Sequence, residues 1–172
     1  MRKTISYTFI ILSLLLGLEG FINKSNYLYA QDDDDINMSP YVTKYFLIGA
    51  STKNFDVALR KAKDISKKLN ITFNSRDLYK IEGEEGLSFA KDICEDHFDY
   101  PCYTPRGRYD DGDYVSIEWS NAYDNFSKGY YVVMISSQSD KSPALLSLLK
   151  RVKSYIPTAY IKASEVYMGC MH

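Results

Sequence analysis

The chain has 172 residues, and its 21 lysines and arginines against 22 aspartates and glutamates give a formal net charge of −1. This balance argues against a nucleic-acid-binding protein, which usually carries a basic excess, and a hydrophobic content of 45% argues against a disordered chain. With two histidines in the sequence, we expect no metal, no cofactor and no histidine-based catalytic triad.

Residues 1–30 have the pattern of a secretory signal peptide. A positively charged start precedes an apolar stretch from Ile5 to Leu18, and the segment closes on Ala30, a small residue that suits signal peptidase. The apolar stretch is shorter than the roughly 20 residues that span a bilayer, so we expect cleavage, with a retained N-terminal anchor as the alternative. The sequence therefore predicts an exported protein, periplasmic or secreted, that does not span a membrane after cleavage.

Residues 31–43 follow the predicted cleavage site and contain four consecutive aspartates, Asp32 to Asp35. Without a loop framework, four adjacent carboxylates are weak evidence for calcium. We interpret this segment as an acidic, flexible tail ahead of a single domain over 44–172, a length that is sufficient for a hydrophobic core.

The predicted domain begins with a strand–helix–strand unit. The apolar run Lys44–Thr52 (KYFLIGAST) reads as a buried strand. A helix is predicted over about 54–69, because apolar residues fall on one helical face and Asn54 is a suitable N-cap. A second strand is predicted over 71–79.

A second unit of the same pattern follows. Gly129–Ser137 (GYYVVMISS) predicts a strand, 142–155 a helix capped by Ser142, and 159–167 a closing strand. Two such units give the order βαββαβ. The sequence thus predicts an α+β fold with a ferredoxin-like antiparallel sheet backed by helices.

Between the two units, residues 82–125 are predicted to be an insertion of one helix and one β-hairpin. The helix is placed over 86–96, and the hairpin arms over 100–108 and 114–120, joined near a favourable Asp-Gly turn. In the second arm, apolar and polar residues alternate. We therefore expect one buried face and one hydrated face, with Tyr114, Ser116 and Glu118 on the hydrated side.

Three cysteines remain in the exported chain. Cys94 and Cys102 are close in sequence, and a helix ending between them is expected to bring them together as a disulfide. Cys170 is then left over, or replaces one partner. A metal site using all three cysteines lacks the usual CxxC spacing, and a Cys94–His97 nucleophile and base is the weaker alternative to the disulfide.

Both apolar strand openings, YFLIGAS (45–51) and YYVVMISS (130–137), and the closing run AYIKASEVY (159–167) resemble the sporulation-related repeat (SPOR) domain of bacterial envelope proteins. The resemblance implies a four-stranded antiparallel sheet backed by helices. It also implies binding, on the sheet side, to peptidoglycan glycan strands stripped of their stem peptides. The insertion at 82–125 is an addition to the minimal domain of that family.

The candidate binding residues follow from strand alternation. Tyr160 and Lys162 are expected to point away from the helices, opposite Ala159 and Ile161. Tyrosine rings stack on sugars and arginine pairs with carboxylates, so the hairpin residues are added to the predicted glycan surface: Tyr114, Glu118, Arg106 and Arg108.

No motif for catalysis stands out, and we expect a non-catalytic protein. The predicted function is an envelope protein that binds peptidoglycan glycan. The alternative is an exported protein–protein interaction or inhibitor module that docks an envelope protein through its inserted hairpin.

Overall fold

The computed structural model describes residues 39–96 and 98–169. The predicted signal peptide, the four aspartates and Cys170 lie outside the described residues. The elements, in chain order, are β1 (Tyr41–Thr52), α1 (Phe55–Leu69), β2 (Tyr79–Lys80), β3 (Leu87–Ser88), α2 (Lys91–Glu95), β4 (Gly112–Trp119), a 3₁₀ turn (Ser120–Ala122), β5 (Tyr131–Gln138), α3 (Pro143–Lys153) and β6 (Tyr160–Tyr167). None of the helices in the described ranges is long and apolar enough to cross a membrane.

Four strands form one antiparallel sheet in the order β4-β5-β1-β6. The apolar faces of α1 and α3 pack against one side of this sheet. The predicted α+β fold with an antiparallel sheet backed by helices is therefore confirmed. β1 begins at Tyr41, three residues before the predicted domain boundary.

The two long helices begin where the sequence predicted, because both predicted caps form. The Asn54 side chain accepts a hydrogen bond from the Val57 backbone N–H at 3.0 Å, and Ser142 Oγ accepts one from the Leu145 N–H at 3.2 Å. Each cap satisfies a backbone donor that the first helical turn leaves unpaired. The predicted inserted helix over 86–96 is shorter than expected, since Leu87–Ser88 is a strand and the helix covers Lys91–Glu95.

The predicted hairpin is wrong. Its second arm is β4, but β4 pairs with β5 at the edge of the main sheet, and residues 100–108 contain no strand. The reason lies in the apolar side of β4, where Val115 and Ile117 are buried among residues of α1 and β5. That burial is available beside β5 and would be absent in a hairpin held apart from the sheet.

The predicted strand over 71–79 is also wrong. Phe73 makes one isolated parallel bridge with Val115, and the next residues Arg76 and Asp77 adopt left-handed backbone angles, with φ of 58° and 53°. Two consecutive left-handed residues cannot continue an extended strand. Residues 72–74 instead cover the outer edge of β4, which would otherwise present unpaired backbone groups.

Both faces of the sheet are covered. The helix-side core contains Leu47, Ile65, Val133, Ile135 and Leu148, among others. A second core lies on the opposite face, formed by Phe46, Ile48, Tyr123, Phe126, Val132, Met134 and Val166. Because Tyr123 and Phe126 pack over this face, the open sheet surface that the resemblance implies is reduced to its β6 side.

Candidate functional site

Tyr160 and Lys162 lie on the β6 side of the sheet, on the face away from the helices. Ala159 and Ile161 pack against the helix-side core, as the alternation predicts. The side chain of Tyr160 is 45% exposed, and Lys162 is half-buried. β6 thus presents a phenol ring and an ammonium group at a partly covered sheet face.

A shallow cleft of about 140 Å³ lies between these two side chains and the segment that covers the rest of the face. It is lined by Ser51, Phe126, Ser127, Tyr130, Val132, Tyr160 and Lys162. We call this the β6 cleft. Its lining combines two phenol rings, two hydroxyl groups and one ammonium group, and no carboxylate of the described residues belongs to it.

Two lysine ammonium groups stand over aromatic rings at the β6 cleft. Lys162 Nζ is 5.0 Å from the centre of the Phe126 ring, and Lys53 Nζ is 5.6 Å from that of Tyr130. Within the described ranges, neither ammonium group forms an ion pair. The cleft therefore offers aromatic rings, hydroxyl groups and the Lys162 ammonium group to a ligand, whereas Lys53 lines a different pocket together with Asp56, Glu84 and Glu85.

Arg106 was predicted to lie on the binding surface, but its side chain is completely buried. Its guanidinium donates to the backbone oxygens of Tyr114 and Gly112 at 2.9 and 2.8 Å, and to Ser116 Oγ at 3.0 Å. It also stacks at 3.5 Å from the centre of the Tyr114 ring. Burial lowers the pKa of Arg106 below its ordinary value. These hydrogen bonds therefore hold the loop that contains Arg106 against β4, and the guanidinium is not available to a ligand.

Glu118 was likewise predicted to face water, and it is also completely buried. Four side chains donate hydrogen bonds to its carboxylate: Arg76, Tyr103, Ser116 and Tyr123. The predicted hydrated face of β4 is thus wrong. Residues 103–106 and 123–126 fold over that face, and most of the polar groups there hydrogen-bond to one another, although Arg106 Nε has no partner among the described residues.

Sequence reasoning missed three members of this network, namely Arg76, Tyr103 and Tyr123. The Arg76 guanidinium donates to Glu118 Oε2 at 2.8 Å and to Asp110 Oδ2 at 2.7 Å. Burial, the largest single effect, lowers the pKa of Arg76, but the surrounding acidic groups, led by Glu118, together outweigh it and hold the pKa above its ordinary value. Arg76 and Glu118 are 42 residues apart, so no local periodicity links them.

The buried network also shifts two tyrosines. Burial, followed by the charge of Glu118, raises the pKa values of Tyr103 and Tyr123 well above the ordinary value. Both phenols therefore stay protonated and act as hydrogen-bond donors to the carboxylate. The network is a structural centre, because Glu118 and Tyr123 are completely buried and the side chain of Arg76 is nearly so.

Arg108 lies elsewhere. Its guanidinium stands over the rings of Tyr109 and Tyr167, at 4.9 and 5.4 Å from their centres, and it lines a separate pocket. Of the predicted binding residues, the structure therefore brings only Tyr160 and Lys162 together. Arg106 and Glu118 are buried, and Tyr114 is half-buried against Arg106.

Cys94 and Cys102 lie at disulfide distance, with Cα atoms 5.6 Å apart, as predicted. The bond joins α2 to the loop that leads towards Arg106. Across residues 39–96 and 98–169, no group of three or more histidine, cysteine, aspartate or glutamate side chains is placed to hold a metal ion.

Comparison with known proteins gave no match to a family model, to a curated protein or to a solved structure.

Proposed function

We propose that the protein is an exported, non-catalytic envelope protein that binds peptidoglycan glycan at the β6 cleft. One observation carries the proposal. Tyr160 and Lys162 project beside Tyr130 into a cleft that, in the part of the chain that the structure describes, no carboxylate lines, on the face of the sheet away from the helices. This is the face that the SPOR resemblance assigns to the glycan.

The chemistry of the cleft fits a muramyl sugar. A tyrosine ring can stack on the C–H face of a sugar while its hydroxyl group hydrogen-bonds, and Tyr160 is exposed enough to do both. Lys162 supplies a cation for the sugar carboxylate. A cleft of about 140 Å³ is smaller than the roughly 300 Å³ of a small ligand pocket, so it contacts one part of an extended strand.

The fold assignment supports the same family. Without the two short strands, the sheet strands and long helices follow the order βαββαβ along the chain, and the sheet order is β6-β1-β5-β4. We propose a ferredoxin-like, SPOR-like domain in which β4 serves as the second sheet strand, with residues 70–111 as the long connection before it.

Export is part of the proposal and rests on two features. The first is the signal-peptide pattern of residues 1–30, and the second is the Cys94–Cys102 pair, since disulfides persist in oxidising compartments. Cleavage after Ala30 places Gln31 at the N-terminus of the exported protein. N-terminal sequencing of protein secreted by a bacterial host tests this placement.

The glycan proposal is tested by retention on purified, peptide-stripped sacculi. We compare the unmodified protein with the double variant Tyr160→Ala/Lys162→Ala and expect at least about tenfold weaker retention, equivalent to about 1.4 kcal/mol. The control is Tyr79→Ala/Lys80→Ala, which removes another exposed tyrosine–lysine pair from β2. Equal retention of both variants, with unchanged circular dichroism, would exclude the β6 cleft. No retention of the unmodified protein would exclude glycan binding.

A second candidate function is an exported module that docks another protein. It is favoured by the exposed apolar side chains along residues 93–109, namely Ile93, Phe98, Tyr100 and Tyr109. In this alternative, these exposed side chains contact the partner protein. The predicted hairpin cannot do so, because its second arm belongs to the main sheet.

A further inference from the structure

A pocket of about 380 Å³ lies beside the disulfide, in a region that the glycan proposal does not use. Most of its walls are apolar or aromatic, and it is lined by Phe89, Ile93, Phe98, Asp99, Pro101, Cys102, Tyr103, Thr104 and Arg108. None of these residues lines the β6 cleft. Its volume falls within the range of about 300–1,000 Å³ typical of sites that enclose a small ligand or a side chain.

The pocket is held in place by covalent and hydrogen bonds. Cys102 on its wall is bonded to Cys94 in α2. The Phe89 N–H donates to the Cys102 carbonyl at 3.0 Å, and the Cys102 N–H donates to Ser88 Oγ at 3.0 Å. A pocket that exists before binding loses little conformational entropy when it is filled.

Among the described residues, Arg108 is the only cation that lines the pocket. Its guanidinium contacts the rings of Tyr109 and Tyr167. With the described residues it forms no ion pair, and its Nε is buried without a hydrogen-bond partner. Arg76, by comparison, pairs with both Glu118 and Asp110. A guanidinium in this state, beside apolar walls, is complementary to a carboxylate that a ligand brings.

The surroundings favour a peptide over a small molecule. Ile93 and Phe98 at the pocket are 47% and 69% exposed, and Tyr100 and Tyr109 nearby are 41% and 60% exposed. A small ligand would fill the pocket and leave these side chains uncovered. The residues that precede the end of a peptide chain would cover them, and exposed apolar surface of this kind is typical of protein-binding sites.

We propose that this pocket binds the C-terminal residue of a partner polypeptide, with an apolar side chain between Phe89 and Pro101 and its carboxylate on Arg108. Asp99 accepts a hydrogen bond from a backbone N–H of the same peptide. The specificity is for an apolar last residue with a free carboxylate. The site is independent of the β6 cleft, so the failure of one does not affect the other.

The test uses acetylated glycine–serine peptides that end in leucine or phenylalanine, each made as the free acid and as the C-terminal amide. Binding to the exported chain is measured by isothermal titration calorimetry and by backbone NMR shifts. We expect the free acids to bind at least about tenfold more tightly than the amides, because a charge-assisted pair is lost in the amide. The shifts should centre on Phe89, Ile93 and Thr104.

Arg108→Leu should bring the affinity for the acids down to that for the amides, and Arg108→Lys should restore part of the difference. Arg151→Leu, at an exposed arginine on α3, is the matched control and should leave both affinities unchanged. Tyr160→Ala/Lys162→Ala should also bind the acids normally. Equal affinity for acids and amides, or no binding at about 1 mM peptide, overturns the proposal. The proposal is also overturned if 3-phenylpropionate binds as tightly as the free-acid peptides, because that result would indicate a small-molecule site.

Discussion

Arg76 Nη1 donates a hydrogen bond to Glu118 Oε2 at 2.8 Å, and this pair links the segment after α1 to the middle of β4. Both side chains are almost fully enclosed. Because Tyr103, Ser116 and Tyr123 complete the shell of donors, the charge of Glu118 is compensated on the side of the sheet that lacks helices. Tyr123 belongs both to this shell of donors and to the second core, so it joins the ion pair to the apolar packing on that face.

Replacing Glu118 by Gln should destabilise the protein strongly. The amide keeps the shape of the side chain but removes the charge opposite Arg76, and breaking a buried pair costs about 3–5 kcal/mol. The free energy of unfolding from urea titrations measures the loss. Glu165→Gln, at an exposed position on β6, is the control and should change it by less than about 0.5 kcal/mol. A loss below about 1 kcal/mol for Glu118→Gln would show that the pair contributes little net stability.

Stability should fall at alkaline pH because of Tyr103 and Tyr123. Their pKa values are raised in the folded protein, so above about pH 10, the ordinary tyrosine pKa, the unfolded state loses protons that the folded state keeps. Below that pH the contribution of the two tyrosines to the free energy of unfolding is constant. Above it, this contribution is lost and the free energy of unfolding declines. Urea midpoints measured from pH 8 to 10.8 test this. Tyr103→Phe should flatten the alkaline decline, whereas the exposed control Tyr79→Phe should leave the slope unchanged; equal slopes would contradict the assignment.

Peptide mapping of the oxidised protein should recover Cys94 and Cys102 in one disulfide-linked fragment. Reduction should lower the free energy of unfolding by about 2–3 kcal/mol, because the bond closes a short loop and restricts the unfolded chain. Cys170→Ser should leave the mapped fragment and the stability unchanged. Recovery of Cys170 bonded to either of the other cysteines would refute this pairing.

Gly107 should resist substitution for two reasons. Its φ is 92°, and an added Cβ would lie 3.0 Å from Ser137 Oγ and 3.3 Å from Phe46 Cε1. Gly83 also has a positive φ, of 76°, but an added Cβ there meets nothing within 4 Å. Both alanine variants should lose about 1–2 kcal/mol to backbone strain, and Gly107→Ala should lose a further 1–3 kcal/mol or so from overpacking. Equal melting temperatures for the two variants would show that the neighbours of Gly107 adjust freely.

Local sequence determined the two long helices and the four strands of the main sheet, but not the partner of β4. Asn54 and Ser142 predicted the helix starts because capping depends on residues three positions apart. Alternation placed Tyr160 and Lys162 on one face of β6, and the short spacing of Cys94 and Cys102 predicted their pairing. In each case the residues that interact are only a few positions apart in the sequence, so the local sequence pattern predicts the interaction.

Tertiary structure alone decided the partner of β4 and the burial of Glu118 and Arg106. Alternation shows that two faces of a strand differ, but it cannot show that a distant loop will cover the polar face. Here Arg76 comes from 42 residues away to neutralise Glu118. A charged side chain can be buried once such a partner arrives, and the distance along the chain between partners hides this from any reading of local pattern.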